Sequence, residues 1–258
     1  MMNRTLGRFI DRFLRNSFCF ELASVVAYLF FSLVFAAAGI PAVFLLRLVV
    51  VRWWEAPAFA AIFSLALFLA FCVFLVSAVL FVGSVERILS LGIKPGAYPV
   101  GSLIFFRWLV LSGLHLWMIH LVLPFWRGTN WIKIYLRIAG AKVGRESFLN
   151  TSHFYDPYLL TIGDGVIIGG ETFVSCHLFE AGHLIISPIT IADGTLVGAS
   201  SYLTPGTKTG VNSHVGMYTY LRRNTEMRDG EIRMTPPGMT IRQYRSFLRE
   251  KKREKSLA

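Results

Sequence analysis

From Val143 to Leu221 an aliphatic residue tends to recur at every sixth position, usually followed by a glycine or another small residue. Ile162, Ile168 and Val174 keep one frame, and Ile185, Ile191, Val197, Leu203, Val215 and Leu221 keep a second, with Thr209 the exception. An amphipathic helix repeats at about 3.6 residues and a half-buried strand at about 2, so a sustained step of six fits neither. It is the step of a solenoid. Three short flat strands joined at tight corners make a triangular coil of about 18 residues, with the aliphatic residue of each hexad pointing into the prism. The small residue after it lets the backbone turn. The frame slips twice, once between the opening hexads (Val143, Leu149, Tyr155) and Ile162, and again between Val174 and Ile185. Loops are expected to leave the prism there, and such insertions often build a repeat protein's binding face.

The first half of the chain is a different material. Leu22 to Leu46 and Ala56 to Val85 contain no charged side chain. At 1.5 Å per helical residue the first of these spans about 37 Å, against a hydrocarbon core of about 30 Å. Membrane spans are predicted over about 18–46 and 56–85, with Gly39 and Pro41 ending or kinking the first and Arg47, Arg52, Trp53 and Trp54 marking an interface. The third apolar segment, about 100–126, carries Arg107, His115 and His120, which are costly near a bilayer centre. An in-plane or re-entrant helix is expected there, its imidazoles packed or interfacial, with Trp108, Trp117, Trp126 and Trp131 at headgroup level.

Arg4, Arg8, Arg12 and Arg15 precede the first span, which places the amino terminus in the cytoplasm. Two spans return the chain there. The solenoid is therefore expected beneath the cytoplasmic face of a bacterial-type inner membrane, and a true third span would invert that answer. The formal net charge of +11 invites a nucleic-acid reading, but the basic residues bracket the apolar segments and crowd the tail after Leu221. Membrane lipid, not nucleic acid, is the expected partner. Cys19, Cys72 and Cys176 make neither a disulfide framework nor a metal-binding spacing, so no metal is expected. The fold class is an N-terminal α-helical transmembrane region (1–130), an all-β solenoid (131–222) and a basic tail (223–258) in which Arg242 to Arg253 reads as a short helix.

The walls of such a prism are strands, so reactive groups must come from turns and from the two slips. The second slip reads Val174-Ser175-Cys176-His177-Leu178-Phe179-Glu180-Ala181-Gly182-His183. An imidazole that titrates near neutrality can take the proton of a hydroxyl or amine as it attacks a thioester carbonyl. His177 is the candidate base, with Glu180 or Asp156 to fix its tautomer. A turn imidazole bonded only to backbone is the alternative. His153, at the first slip, is the rival base, and His183 and His214 are weaker candidates. Asp164 and Asp193 follow glycine or alanine at corners and read as turn-closing residues.

Ile162-Gly163-Asp164-Gly165, Ile168-Gly169-Gly170, Ile191-Ala192-Asp193-Gly194, Val197-Gly198-Ala199 and Leu203-Thr204-Pro205-Gly206 resemble the repeats of the hexapeptide-repeat acyltransferases. The resemblance implies a left-handed parallel β-helix, a histidine general base and a homotrimer with sites between neighbouring prisms. It also implies a coenzyme A thioester or a phosphopantetheinyl carrier protein as donor. The stretch Ser187 to Ala199 is similar to the coils along which the pantetheine arm lies in that family. Gly198, Ala199, Ser200 and Gly206 would let a thin chain approach backbone amides, and Lys208, Arg222 or Arg223 would meet phosphates. The same small residues are also what the corners require.

Gly92-Ile93-Lys94-Pro95-Gly96-Ala97-Tyr98-Pro99, the helix with Arg107 and Trp108, and Tyr135-Leu136-Arg137-Ile138-Ala139-Gly140-Ala141-Lys142-Val143-Gly144 give a closer likeness. With Leu160 to Gly165 and His177-Leu178-Phe179-Glu180, they resemble the membrane-linked C-terminal region of epsilon-poly-lysine synthetase-like proteins. Those proteins carry several such units in tandem and are implicated in amide-bond formation from a carrier-bound aminoacyl thioester. One unit is present here, without adenylation or carrier domain. The expected function is a membrane-anchored acyltransferase moving an acyl or aminoacyl group to a hydroxyl or amine. An amide-forming condensation unit and a non-catalytic trimeric membrane scaffold are the alternatives.

Overall fold

The computed structural model describes residues 17–234. Helices α1 (Ser17–Trp53) and α2 (Phe59–Ser90) form a hairpin around the short turn at Trp54 to Ala58. Of the two outcomes expected at Gly39 and Pro41, an end or a kink, the end does not occur: α1 runs through both. Proline removes one backbone donor there, and Ser77 of α2 brings its hydroxyl to 2.7 Å from the Ala38 carbonyl in the same turn.

Strand β1 (Gly96–Pro99) and helix α3 (Leu103–Leu121) follow. Ser102 caps α3 by accepting from the Phe105 amide, and Arg107 donates to the carbonyls of Leu89 and Leu91, tying the start of α3 to the end of α2. Within a 3-10 turn at Leu123–Trp126, Phe125 meets Phe71 in the middle of α2. Helix α4 (Asn130–Ile138) then brings the chain back, with Tyr135 and Ile138 against Gly83. Helices α1, α2 and α3 are each long and apolar enough to cross a membrane. However, β1, just before α3, pairs antiparallel with β9 (His183–Ile186), which lies beyond it in the chain. The segments on both sides of α3 therefore meet the solenoid region, β1 through β9 and Gly128 through its amide bond to the Leu149 carbonyl.

The solenoid has three parallel faces. One is β2 (Lys142–Val143), β5 (Leu160–Ile162) and β10 (Ile189–Ile191), and the second is β3 (Phe148–Leu149), β6 (Ile167–Ile168), β11 (Leu196–Val197), β13 (His214–Val215) and β15 (Ile232–Arg233). The third is β4 (Phe154–Tyr155), β7 (Phe173–Ser175), β12 (Tyr202–Leu203) and β14 (Tyr220–Leu221). Tyr202 pairs with Tyr220, one regular coil away, whereas Phe173 pairs with Tyr202 across a longer coil. The added residues are the hairpin of β8 (His177–Glu180) and β9, which leaves the prism at the second slip and pairs with β1.

Ile162, Ile168, Val174, Ile191, Val197, Leu203, Val215 and Leu221 are all buried in one core, as the hexad frame predicts. Ile185 is not among them. Its spacing from Ile191 is a coincidence, because it lies on β9, where Leu184 and Ile186 face a second core with Ile93, Phe105, Trp108 and Leu111. In the first coil Phe154, not Tyr155, points inward. Thr209 stays in the prism because its hydroxyl accepts from the Ala192 amide at 2.9 Å and sits 3.0 Å from the Thr195 hydroxyl. The coil does not stop at Leu221, since β15 stacks on β13 and Met227 is buried. The basic residues at Arg4 to Arg15 and at Arg242 to Arg253 lie outside the described residues.

The main core is continuous from helices to solenoid. Leu114, Met118, Tyr135 and Leu136 pack with Leu149 and Phe154, all fully or almost fully buried. At about 1.5–3 kcal/mol for each large apolar side chain removed from water, this contact fixes α3 and α4 on the first coil.

Candidate active site

The two slips meet in space. The first contains a 3-10 turn, Pro157–Leu159, preceded by Asp156 in the left-handed backbone region (φ 58°, ψ 58°). The second opens with His177 at the start of β8. The Asp156 Oδ2 atom lies 2.5 Å from His177 Nδ1, with the carboxylate almost wholly buried and the imidazole 19% exposed. A carboxylate oxygen accepts, so the ring donates from Nδ1, and in the neutral ring Nε2 then carries the lone pair. The Ser175 hydroxyl donates to the His177 carbonyl at 2.8 Å, which fixes the start of the strand.

The other carboxylate oxygen, Asp156 Oδ1, accepts from the indole Nε1 of Trp108 at 2.8 Å. Trp108 also lies edge-on to the His177 ring at 4.6 Å between centroids, and Tyr155 and Phe179 approach it from other sides. Trp108 is therefore a buried site residue and not a headgroup anchor, contrary to the sequence reading. Burial, reinforced by the Asp156 charge, raises the Tyr158 phenol and the Cys176 thiol well above their usual ranges, so both stay neutral beside the pair.

Glu180 does not reach His177. It lies at the exposed end of β8 and pairs with Arg223 at 2.5 Å. His153 stacks on Phe173 at 4.3 Å and contacts Glu171, which Arg127 also holds, so the rival imidazole belongs to a separate cluster. The Arg127 hydrogen bond keeps the Glu171 carboxyl below the usual carboxylate range.

The residues expected to line a donor arm sit at corners. A Cβ on Gly198 would come within 2.4 Å of the Met217 amide, and one on Gly206 (φ +80°) within 2.1 Å of Asn224 Oδ1. Stacking of the next coil requires both glycines. The amides of Gly198, Ser200 and Lys208 are already donated to Val215, Gly170 and Thr225, so none of the three is free to hold an oxyanion. Ala199 accepts from the Tyr218 amide, and Lys208 pairs with Glu226 on the surface.

Sequence reasoning missed a second polar cluster. His115 Nδ1 of α3 lies 2.6 Å from the Tyr135 hydroxyl, Tyr135 donates to Glu86 of α2 at 2.5 Å, and His115 Nε2 donates to the Phe154 carbonyl at 2.6 Å. The available signal was the spacing: Trp108 and His115 stand seven residues apart, on one face of an otherwise apolar helix.

With this geometry in view, the chain compares with known proteins as follows. It is similar to hexapeptide-repeat acyltransferases. One relative is the delta-poly-L-ornithine synthetase of Acinetobacter baumannii, 31% identical over 159 residues, which are 61% of this chain and 12% of that protein. The chain thus spans about an eighth of that relative's length. Among solved structures, a hexapeptide-repeat acetyltransferase of Vibrio cholerae is 22% identical, covering 41% of this chain and 63% of that one at a TM-score of 0.35. Galactoside acetyltransferase in complex with coenzyme A is 16% identical, covering 62% and 90% at a TM-score of 0.42. No protein-family model matches the chain.

Proposed function

We propose that this chain is a membrane-anchored acyltransferase whose general base is His177. The observation that carries the reading is the Asp156–His177 pair, in which Nδ1 is held by a buried carboxylate and Nε2 is left to take a proton at a partly open surface. Nε2 accepts the proton of an acceptor hydroxyl or amine as its oxygen or nitrogen bonds to a thioester carbonyl carbon. The tetrahedral intermediate collapses, the carbon–sulfur bond breaks, and the imidazolium returns the proton to the departing thiolate. Asp156 stabilises the imidazolium between the two steps. The donor is a coenzyme A thioester or a phosphopantetheinyl carrier protein. Its arm lies along the coils from Val197 to Gly206, and Lys208 is a candidate for its phosphates.

The solenoid is read as left-handed, and three copies assemble so that His177 of one faces those coils of another. Helices α1 and α2 cross the membrane, α3 enters it and returns, and the solenoid lies at the cytoplasmic face. The β1–β9 pairing and the Gly128–Leu149 bond support this topology because they bring the segments on both sides of α3 to the solenoid region. The similarity to a delta-poly-L-ornithine synthetase favours a second reading, an amide-forming unit that takes an aminoacyl thioester and an amine acceptor.

The test is thiol release from acetyl-coenzyme A, and from an aminoacyl carrier, in the presence of hydroxyl and amine acceptors. Acceptor-dependent release by the full chain and its loss in His177→Ala is the expected result; equal release by both proteins removes the proposed base. Native mass spectrometry of the detergent-purified protein reports the trimer and any retained donor.

A further inference from the structure

Trp108 and His115 lie about two turns apart on α3, so both side chains leave the same helix face, and both are buried. Each gives an N–H to the same short stretch of the first coil. Trp108 Nε1 donates to the Asp156 carboxylate at 2.8 Å, and His115 Nε2 donates to the Phe154 carbonyl at 2.6 Å. A carbonyl only accepts, so Nε2 of His115 carries the hydrogen of that bond. Its other nitrogen rests on Tyr135 and Glu86, which anchor it to α4 and α2.

At the Asp156 contact the backbone is strained. Asp156 occupies the left-handed region, which a non-glycine residue keeps only when its surroundings hold it there. Its carboxylate has one oxygen on Trp108 and the other on His177, so both oxygens of the group are held. Trp108 packs in one small core with Phe105 and Leu111, which an apolar ring could also do. The N–H is what a ring without a donor lacks. Arg107, bonded to the end of α2, fixes the start of the helix that carries both donors.

We propose that Trp108 and His115 are positioning residues for the Asp156–His177 pair, with α3 clamping Phe154 to Asp156 so that the site is assembled only when the apolar helices are docked on the solenoid. The catalytic consequence rests on the acyl-transfer reading above; the clamp itself does not. A carboxylate without its second donor would be free to rotate away from Nδ1, and a buried oxygen would be left unpaired.

The experiment uses the full chain in detergent with its six tryptophans labelled at the indole nitrogen. The Trp108 resonance is the one lost in Trp108→Phe. Its N–H is expected to exchange slowly with water, and in Asp156→Asn to shift and exchange about tenfold faster or more. An unchanged Trp108 resonance in Asp156→Asn overturns the clamp, whatever the protein's activity proves to be. In the transfer assay, Trp108→Phe is expected to lower kcat about tenfold to a hundredfold with the donor KM within about twofold, because the lost bond is to a charged group. His115→Leu is expected to do likewise, and His115→Gln, whose amide can still donate to Phe154, to recover most of the rate. A Trp108→Phe protein with wild-type kcat overturns the positioning role. Absence of transfer by the wild-type chain sinks the acyl-transfer reading instead, and the indole measurement still decides the clamp.

Discussion

Asp156, strained in the left-handed region at the first interruption of the coil, holds the imidazole of His177 at the second interruption by a 2.5 Å contact to Nδ1. Neither residue lies on a regular hexad wall. The pairing orients the ring and fixes its tautomer, two separate contributions that an amide in place of the carboxylate would disturb together. Asp156→Asn is therefore expected to reduce acyl transfer by about 10³ to 10⁴, as loss of a tautomer-fixing carboxylate does elsewhere. Steady-state thiol release on variant and wild type measures it, and a decrease of less than tenfold removes Asp156 from the mechanism.

Glu180 provides the matching control. It is exposed and joined to Arg223 on the surface, so its charge does not reach the imidazole. Glu180→Gln is expected to change transfer by less than about twofold and stability by less than about 1 kcal/mol, the usual range for an exposed pair. A large kinetic loss in this variant would show that β8 rearranges during the reaction.

The hexads carried the prism, because each inward side chain is read directly from its spacing: Val174, Val197 and Val215 are all buried. The interruptions were legible as interruptions, and the His177 and Asp156 candidates came from them. What spacing cannot give is a partner brought in from outside the repeat. The choice of Asp156 over Glu180 depends on where a left-handed residue aims its carboxylate, and Trp108 reaches it from a helix that sequence hydropathy assigns to the membrane. Ile185 failed for the opposite reason. A six-residue interval arose by chance in a hairpin whose alternation has a period of two, and there Leu184 and Ile186 are the buried residues.

Glycines at two turns separate steric from conformational cost. At Gly198 an added methyl would stand 2.4 Å from backbone of the next coil, and neither side can yield without opening the stack. Gly198→Ala is expected to destabilise the solenoid by about 1–3 kcal/mol. At Gly182, in the β8–β9 turn, nothing lies within 4 Å and only the positive φ of 74° resists a side chain. Gly182→Ala is expected to cost about 1–2 kcal/mol, and to leave the coil itself unaffected. Thermal melts combined with hydrogen exchange at β11 and β13 discriminate the two, since only the first variant should speed exchange there.

Arg127, Glu171 and His153 tie the turn after Trp126 to the second coil, and the pH dependence of that link follows from Glu171. The Arg127 hydrogen bond lowers the folded-state pKa of this carboxyl below its ordinary value. A group depressed on folding adds stability that is fully present above the unfolded pKa and disappears as pH falls through the folded one. Glu171 is more than half exposed, so solvent screening keeps the contribution below about 1 kcal/mol. Arg127→Gln should therefore melt slightly below wild type near pH 7, and the gap should close as the buffer is taken down towards about pH 2. A gap that stays constant over that range would mean that Arg127 stabilises the turn by packing and by its contact with the Ser152 hydroxyl, with no part played by the Glu171 charge.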